Sequence, residues 1–100
     1  MDLLKLVTTD QLQEKSDIDY SDVMALGFER KNIHDPVWEQ IMGYPYFIVC
    51  KNYPGGQTIE WDIEDHTCTL FYGLGEDQKQ VIINKLRVLK LVDNILENKI

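Results

Sequence analysis

Residues 44–72 read YPYFIVCKNYPGGQTIEWDIEDHTCTLFY, and the fold turns on this stretch. Three runs rich in aromatic and β-branched side chains (44–51, 57–63 and 66–72) are separated by Pro54-Gly55 and Glu64-Asp65, residue types suited to tight turns. That pattern is an antiparallel meander. Taking the two pairs as central turn residues sets Ile48 opposite Trp61 and Cys50 opposite Ile59. Across the second turn it sets Trp61 opposite Cys68 and Ile59 opposite Leu70. One face then carries Tyr46, Ile48, Cys50, Ile59, Trp61, Ile63, Cys68, Leu70 and Tyr72 and belongs under helices. The other carries Phe47, Val49, Lys51, Thr58, Glu60, Asp62, Thr67, Thr69 and Phe71 and meets solvent. In this register Cys50 and Cys68 are separated by a whole strand, beyond the ~7 Å Cα limit for a disulfide, so both thiols are expected free.

Working upstream, residues 28–33 read as a further strand. Asp35-Pro36 supplies a cap and a first-turn proline for a short helix containing Val37, Trp38, Ile41 and Met42, which Gly43 closes. Residues 17–26 read as another short helix, with Ser21 as a candidate cap and Gly27 as its stop. Leu3, Leu4, Leu6, Val7 and Leu12 suggest that residues 1–20 carry a loosely attached short N-terminal helix, capped by Thr9 or Asp10 and running to Lys15. Downstream of Gly73 and Gly75, the spacing of Ile82, Leu86, Leu89, Val92 and Leu96 predicts one long helix within 76–100. A competing reading places a strand in 80–88, because Val81, Ile82 and Ile83 are β-branched and Leu86 and Val88 alternate. A shorter helix then starts near Leu89. The expected architecture is a single α+β domain over residues 1–100. It is an antiparallel meander of three to four strands, packed on one face by N- and C-terminal helices.

Charge narrows the function classes. The 100 residues hold ten Lys and Arg against seventeen Asp and Glu, a formal charge of -7. Residues 1–77 account for -10 and residues 78–100 for +3. An acidic body opposes attraction to phosphates and to anionic membranes, so neither direct nucleic-acid binding nor a membrane surface is expected. The basic tail residues Lys79, Lys85, Arg87 and Lys90 do not align as one helical stripe, since Leu86 interrupts them; they read as a rim beside buried leucines. The apolar runs, such as 44–50, fall far short of a bilayer span, and no signal-peptide pattern opens the chain, so a cytoplasmic protein is expected.

Catalytic and metal motifs are weak. Glu60, Asp62, Glu64 and Asp65 beside His66 supply hard oxygen ligands, but their spacing matches neither a calcium loop nor a zinc motif. A solvated hairpin explains them. His34 sits in a helix-entry loop without a neighbouring nucleophile. Gly73-x-Gly75 lacks the third glycine of a dinucleotide fingerprint and the lysine of a phosphate loop. No catalytic residue, metal ligand or cofactor is therefore assigned.

The aromatic residues say more. Trp38, Tyr44, Tyr46, Phe47, Tyr53, Phe71 and Tyr72 exceed what so small a core absorbs. Phe47, Val49 and Phe71 fall on the face lined by Glu60, Asp62 and the threonines, with Glu64 and Asp65 at its turn. An apolar centre rimmed by carboxylates suits a basic protein partner; alternatively the last helix or the 28–33 region covers it.

The arrangement Val23-Met-Ala-Leu-Gly-Phe-Glu-Arg30, an aromatic strand, Thr58-Ile-Glu-Trp-Asp62 and Thr69-Leu-Phe71, then a leucine-rich C-terminal segment, resembles small α+β proteins of Bacteroidetes-type bacteria and their phages. The resemblance spans roughly residues 21–98. It implies a phage or mobile-element accessory protein that works by binding, and no functional residue is carried over, because such proteins have no assigned reaction. The resulting expectation is a non-enzymatic protein that binds another protein, an acidic inhibitor of the anti-CRISPR or immunity type acting on a nucleic-acid-handling partner. The alternative is a structural or self-associating subunit, monomer and homodimer both being open. A divalent-metal enzyme built on residues 60–66 ranks below both.

Overall fold

The computed structural model describes residues 15–73, 76 and 78–98. The helix expected to run from Thr9 or Asp10 to Lys15 lies almost wholly outside them. The described elements run α1 (Tyr20–Ala25), β1 (Glu29–Ile33), α2 (Pro36–Met42), β2 (Tyr46–Asn52), β3 (Thr58–Trp61), β4 (Cys68–Tyr72), β5 (Lys79–Ile83) and α3 (Leu86–Glu97). The strands form one antiparallel sheet in sequence order, β1 to β5. The class is α+β, and the meander has five strands rather than three or four.

The fifth strand corrects the single long helix expected over 76–100. Val81, Ile82 and Ile83 lose rotamer freedom in a helix and suit a pleated surface. They pair instead with Leu70, Thr69 and Cys68 of β4. The helix starts only after Lys85, whose backbone is extended. Val88, Leu89, Val92 and Leu96 then keep the 3.6-residue stripe and are buried, while Ile82, read as part of that stripe, is 60% exposed on the sheet. The competing strand-then-helix reading describes this segment better.

A second correction is the register of β2. Val49 faces Trp61, Cys50 faces Glu60 and Lys51 faces Ile59, one residue away from the expected pairing. The cause is the loop. Residues 53–57 form a five-residue connection closed by Tyr53 N–H to the Gln57 carbonyl at 2.9 Å and Gly56 N–H to the Tyr53 carbonyl at 3.1 Å. Gly56 takes φ +89° there, which a residue with a Cβ adopts only under strain. An odd loop in place of a two-residue turn shifts the pairing by one, and a shift of one inverts every side chain of the strand. Val49, Lys51 and Tyr53 therefore point inward, and Tyr46, Ile48 and Cys50 outward. The β3–β4 register is as expected, with Ile59 facing Leu70 and Trp61 facing Cys68. There the loop holds four residues between Asp62 N–H and the Thr67 carbonyl, 2.9 Å apart, centred on Glu64-Asp65.

Inward residues of the strands join Ile18, Val23, Phe28 and the apolar stripe of α3 in one buried cluster. Each fully buried aliphatic side chain there, such as Ile59, Leu70 or Leu89, contributes about 1.5–3 kcal/mol. The chain ahead of α1 is tied to the same end of the sheet: Asp17 N–H donates to the Asn84 carbonyl at 3.1 Å, and Leu86 N–H donates to Asp17 Oδ1 at 2.6 Å. Asp19, not Ser21, is the N-cap of α1, and its N–H donates to Asp22 Oδ2 at 3.0 Å. In α2 the cap is Asp35, whose Oδ1 accepts from Trp38 N–H at 3.0 Å, and Gly43 ends the helix at φ +80°. No helix among the described residues is long and apolar enough to cross a membrane.

Candidate functional site

The core lies on one side of the sheet, and the other side is formed by the outward positions of the described strands. Its outward positions are Glu29, Lys31 and Ile33 on β1, Tyr46, Ile48 and Cys50 on β2, Thr58 and Glu60 on β3, Thr69 and Phe71 on β4, and Gln80 and Ile82 on β5. None of these is buried. At one end of this face the Trp38 ring of α2 meets Tyr46 edge-on at 4.9 Å between centroids and Tyr44 at 6.2 Å.

A shallow depression of about 170 Å³ lies in this face, lined by Tyr46, Ile48, Glu60, Trp61, Asp62, Thr69 and Phe71. The meander builds it directly, because Glu60 faces Cys50 on one side and Thr69 on the other, with Phe71 two residues further along β4. Its potential is negative. Burial, then the carboxylates of Asp62, Glu64, Glu60 and Asp35, push the Tyr46 phenol above its usual pKa. Burial and Glu60 do the same to the Cys50 thiol, against a smaller opposing pull from Lys31.

Of the residues singled out from sequence, Glu60, Asp62 and Phe71 meet in this depression. Val49 does not: it is fully buried in the core. Phe47 is half-buried on the core side, with Tyr20 edge-on at 6.0 Å and the Arg30 guanidinium 4.0 Å from its ring centroid. Both corrections follow from the one-residue shift of β2, which brings Tyr46 and Ile48 to the surface in their place. Glu64 and Asp65 stand exposed on the β3–β4 loop. The four carboxylates are not equivalent. Asp62 Oδ1 accepts the backbone N–H groups of Glu64 at 2.7 Å and Asp65 at 3.1 Å, so it shapes the turn. Glu60 accepts no hydrogen bond and forms no ion pair among the described residues.

His66 closes the same loop at φ +56°. Its ring lies 3.6 Å from Asp19 Oδ1 and stacks obliquely on Trp61, and its carbonyl accepts from the Ser16 hydroxyl. Among the described residues no group of three His, Cys, Asp or Glu side chains is placed to hold a metal ion.

Sequence reasoning also missed a polar cluster on the inner side. Lys51 Nζ donates to Asp93 Oδ1 at 2.7 Å, to the Leu26 carbonyl at 2.7 Å, and pairs with Glu97 at 2.5 Å. The Tyr53 hydroxyl donates to the same Asp93 oxygen at 2.7 Å. These contacts tie β2 to the end of α1 and to α3. Burial lowers the lysine pKa, but the bonds to Asp93 and Glu97 outweigh it and hold the ammonium charged. The signal available in the sequence was Asp93 itself, an acid set beside Val92 on the apolar stripe of the last helix.

The two cysteines are free, Cys50 half-buried on the open face and Cys68 in the core. They lie on opposite faces rather than on one. Burial pushes the Cys68 thiol up to about 12, and Cys50 is also raised. Neither environment favours the thiolate that a nucleophile requires.

No protein-family model matches the chain, and no curated protein or solved structure matches it.

Proposed function

We propose that this protein is a non-enzymatic binding module, of phage or mobile-element type, whose open sheet face engages a basic protein. In this reading it inhibits a nucleic-acid-handling partner, with surface carboxylates standing where the partner holds phosphates. The observation that carries the proposal is the outward sheet face, where no side chain is buried and apolar Tyr46, Ile48 and Phe71 lie among Glu60, Asp62 and Glu64. An apolar centre gives affinity on desolvation, and the acidic surround gives fast, salt-sensitive encounter. The net charge of -7 acts in the same direction at long range.

Affinity capture on immobilised protein, from lysates of phage-bearing bacteria at low and high salt, tests this. A basic partner retained at low salt, released at high salt and lost on Ile48→Asp supports the proposal. Equal retention by wild type and Ile48→Asp refutes the assignment of this face.

A second reading, self-association, is favoured by one specific feature. Val37 (66% exposed) and Ile41 (74% exposed) present an apolar pair on α2. Light scattering across a range of protein concentrations separates the two. A stable dimer that dissociates on Val37→Glu supports self-association, and a concentration-independent monomer supports a heterologous partner.

A further inference from the structure

Resting on the proposed use of the open face, the partner's chemistry can be taken further. We propose that this face docks a basic protein segment by accepting one of its arginine side chains, the guanidinium pairing with Glu60 and the stem lying over Ile48 and Phe71.

Three features of the face point to that occupant. The depression, about 170 Å³, is smaller than the roughly 300–1,000 Å³ of sites that enclose drug-sized molecules; it has room for one long side chain. Its polar lining is acceptor-rich. Glu60 is half-buried and unpaired among the described residues, whereas Oδ1 of Asp62 already accepts two backbone N–H groups of its own turn. A carboxylate partly withdrawn from water and left without a donor gains most from a charge-assisted, bidentate partner. Lys31, the one cation at the outward positions of the described strands, sits on β1, two strands from Glu60.

The walls favour arginine over lysine. Phe71 and Tyr46 offer ring surfaces and Ile48 an aliphatic one. A planar, weakly hydrated guanidinium stacks on such surfaces, while an ammonium keeps its water. The carboxylates of Asp62, Glu64 and Asp35 around Tyr46 add a field that favours any cation arriving there. They leave the short-range pairing to Glu60.

The test is an amide-resolved NMR titration of the full chain with a five-residue acetylated peptide carrying a central arginine. The same peptide with citrulline, a neutral isostere, serves as comparison. Saturable shifts centred on Glu60, Thr69 and Phe71, weakened roughly tenfold or more by citrulline and by Glu60→Gln but not by Glu64→Gln, are expected. Equal binding of the citrulline peptide overturns the proposal in the unaltered protein, whatever the variants do. Shifts spread evenly over acidic residues, or a Glu60→Gln variant that binds like wild type, also overturn it. Failure here is separable from failure of the broader reading. A captured partner lost on Ile48→Asp but retained by Glu60→Gln leaves the face as the binding surface and removes the arginine.

Discussion

Replacing Lys51 by methionine removes the ammonium while keeping most of the stem's shape. The ammonium is the joint between β2, α1 and α3, with side-chain exposures of 13% at Lys51 and 8% at Asp93. Among the described residues Asp93 would then keep only the Tyr53 hydroxyl as donor, and the Leu26 carbonyl would lose the Lys51 ammonium. Glu97, half-exposed at 52%, is screened by water, and its pairing contributes less than about 1 kcal/mol. The dominant cost is the carboxylate of Asp93, left charged in a nearly water-free place. Breaking such a pair costs about 3–5 kcal/mol, a large share of the roughly 5–15 kcal/mol that holds a domain of this size together. Urea unfolding at neutral pH measures it, and the midpoint should fall without a change in slope. The companion variant Lys51→Met with Asp93→Leu deletes both charges and should be less destabilised than Lys51→Met alone, since no uncompensated charge remains. A Lys51→Met protein within about 1 kcal/mol of wild type would show that Asp93 does not depend on this ammonium. So would a double variant whose loss equals the sum of the two single losses, because uncoupled residues add and coupled ones do not.

Further predictions rest on separate features. Lys51, Tyr53 and Cys68 all have pKa values raised by folding, so above the unfolded values the native state binds more protons than the unfolded chain. Their contribution is complete below pH about 8.5 and is lost as the pH rises. Alkaline denaturation should show it, and Cys68→Ala should flatten the slope that begins near the ordinary thiol value of 9.0. Thiol titration of the denatured, unreduced protein should count two free groups, and in the native state Cys50 should react well before Cys68. Leu89→Ala, at a fully buried position of α3, should cost about 2–5 kcal/mol by denaturant unfolding. Gly43→Ala should cost on the order of 1 kcal/mol despite open space around it, because the residue holds φ +80°.

Much of the architecture is legible locally. Asp35-Pro36 and Gly43 mark both ends of α2, because a cap, a proline and a left-handed glycine act within a few residues of themselves. The β3–β4 pairing follows from alternation about Glu64-Asp65 and needs no distant partner. The acidic surface, with Glu60, Asp62 and Phe71 on one side of the sheet, is likewise readable from period and charge. The strand–helix choice over 79–83 is different. The apolar spacing serves both states, and pairing with β4 decides it.

The α+β class, the antiparallel meander and the acidic character are written in short segments, since alternation, turn chemistry and charge act locally. Which side of β2 faces the core is settled by strand pairing instead. The shape of the 53–57 loop sets that register, and a one-residue difference exchanged Phe47 and Val49 for Tyr46 and Ile48 at the surface. It also turned Lys51 inward, where Asp93, forty-two residues away, makes an interior lysine tolerable. Long-range pairing of this kind leaves no local periodic trace, because the energy that selects it exists only once both partners have been removed from water.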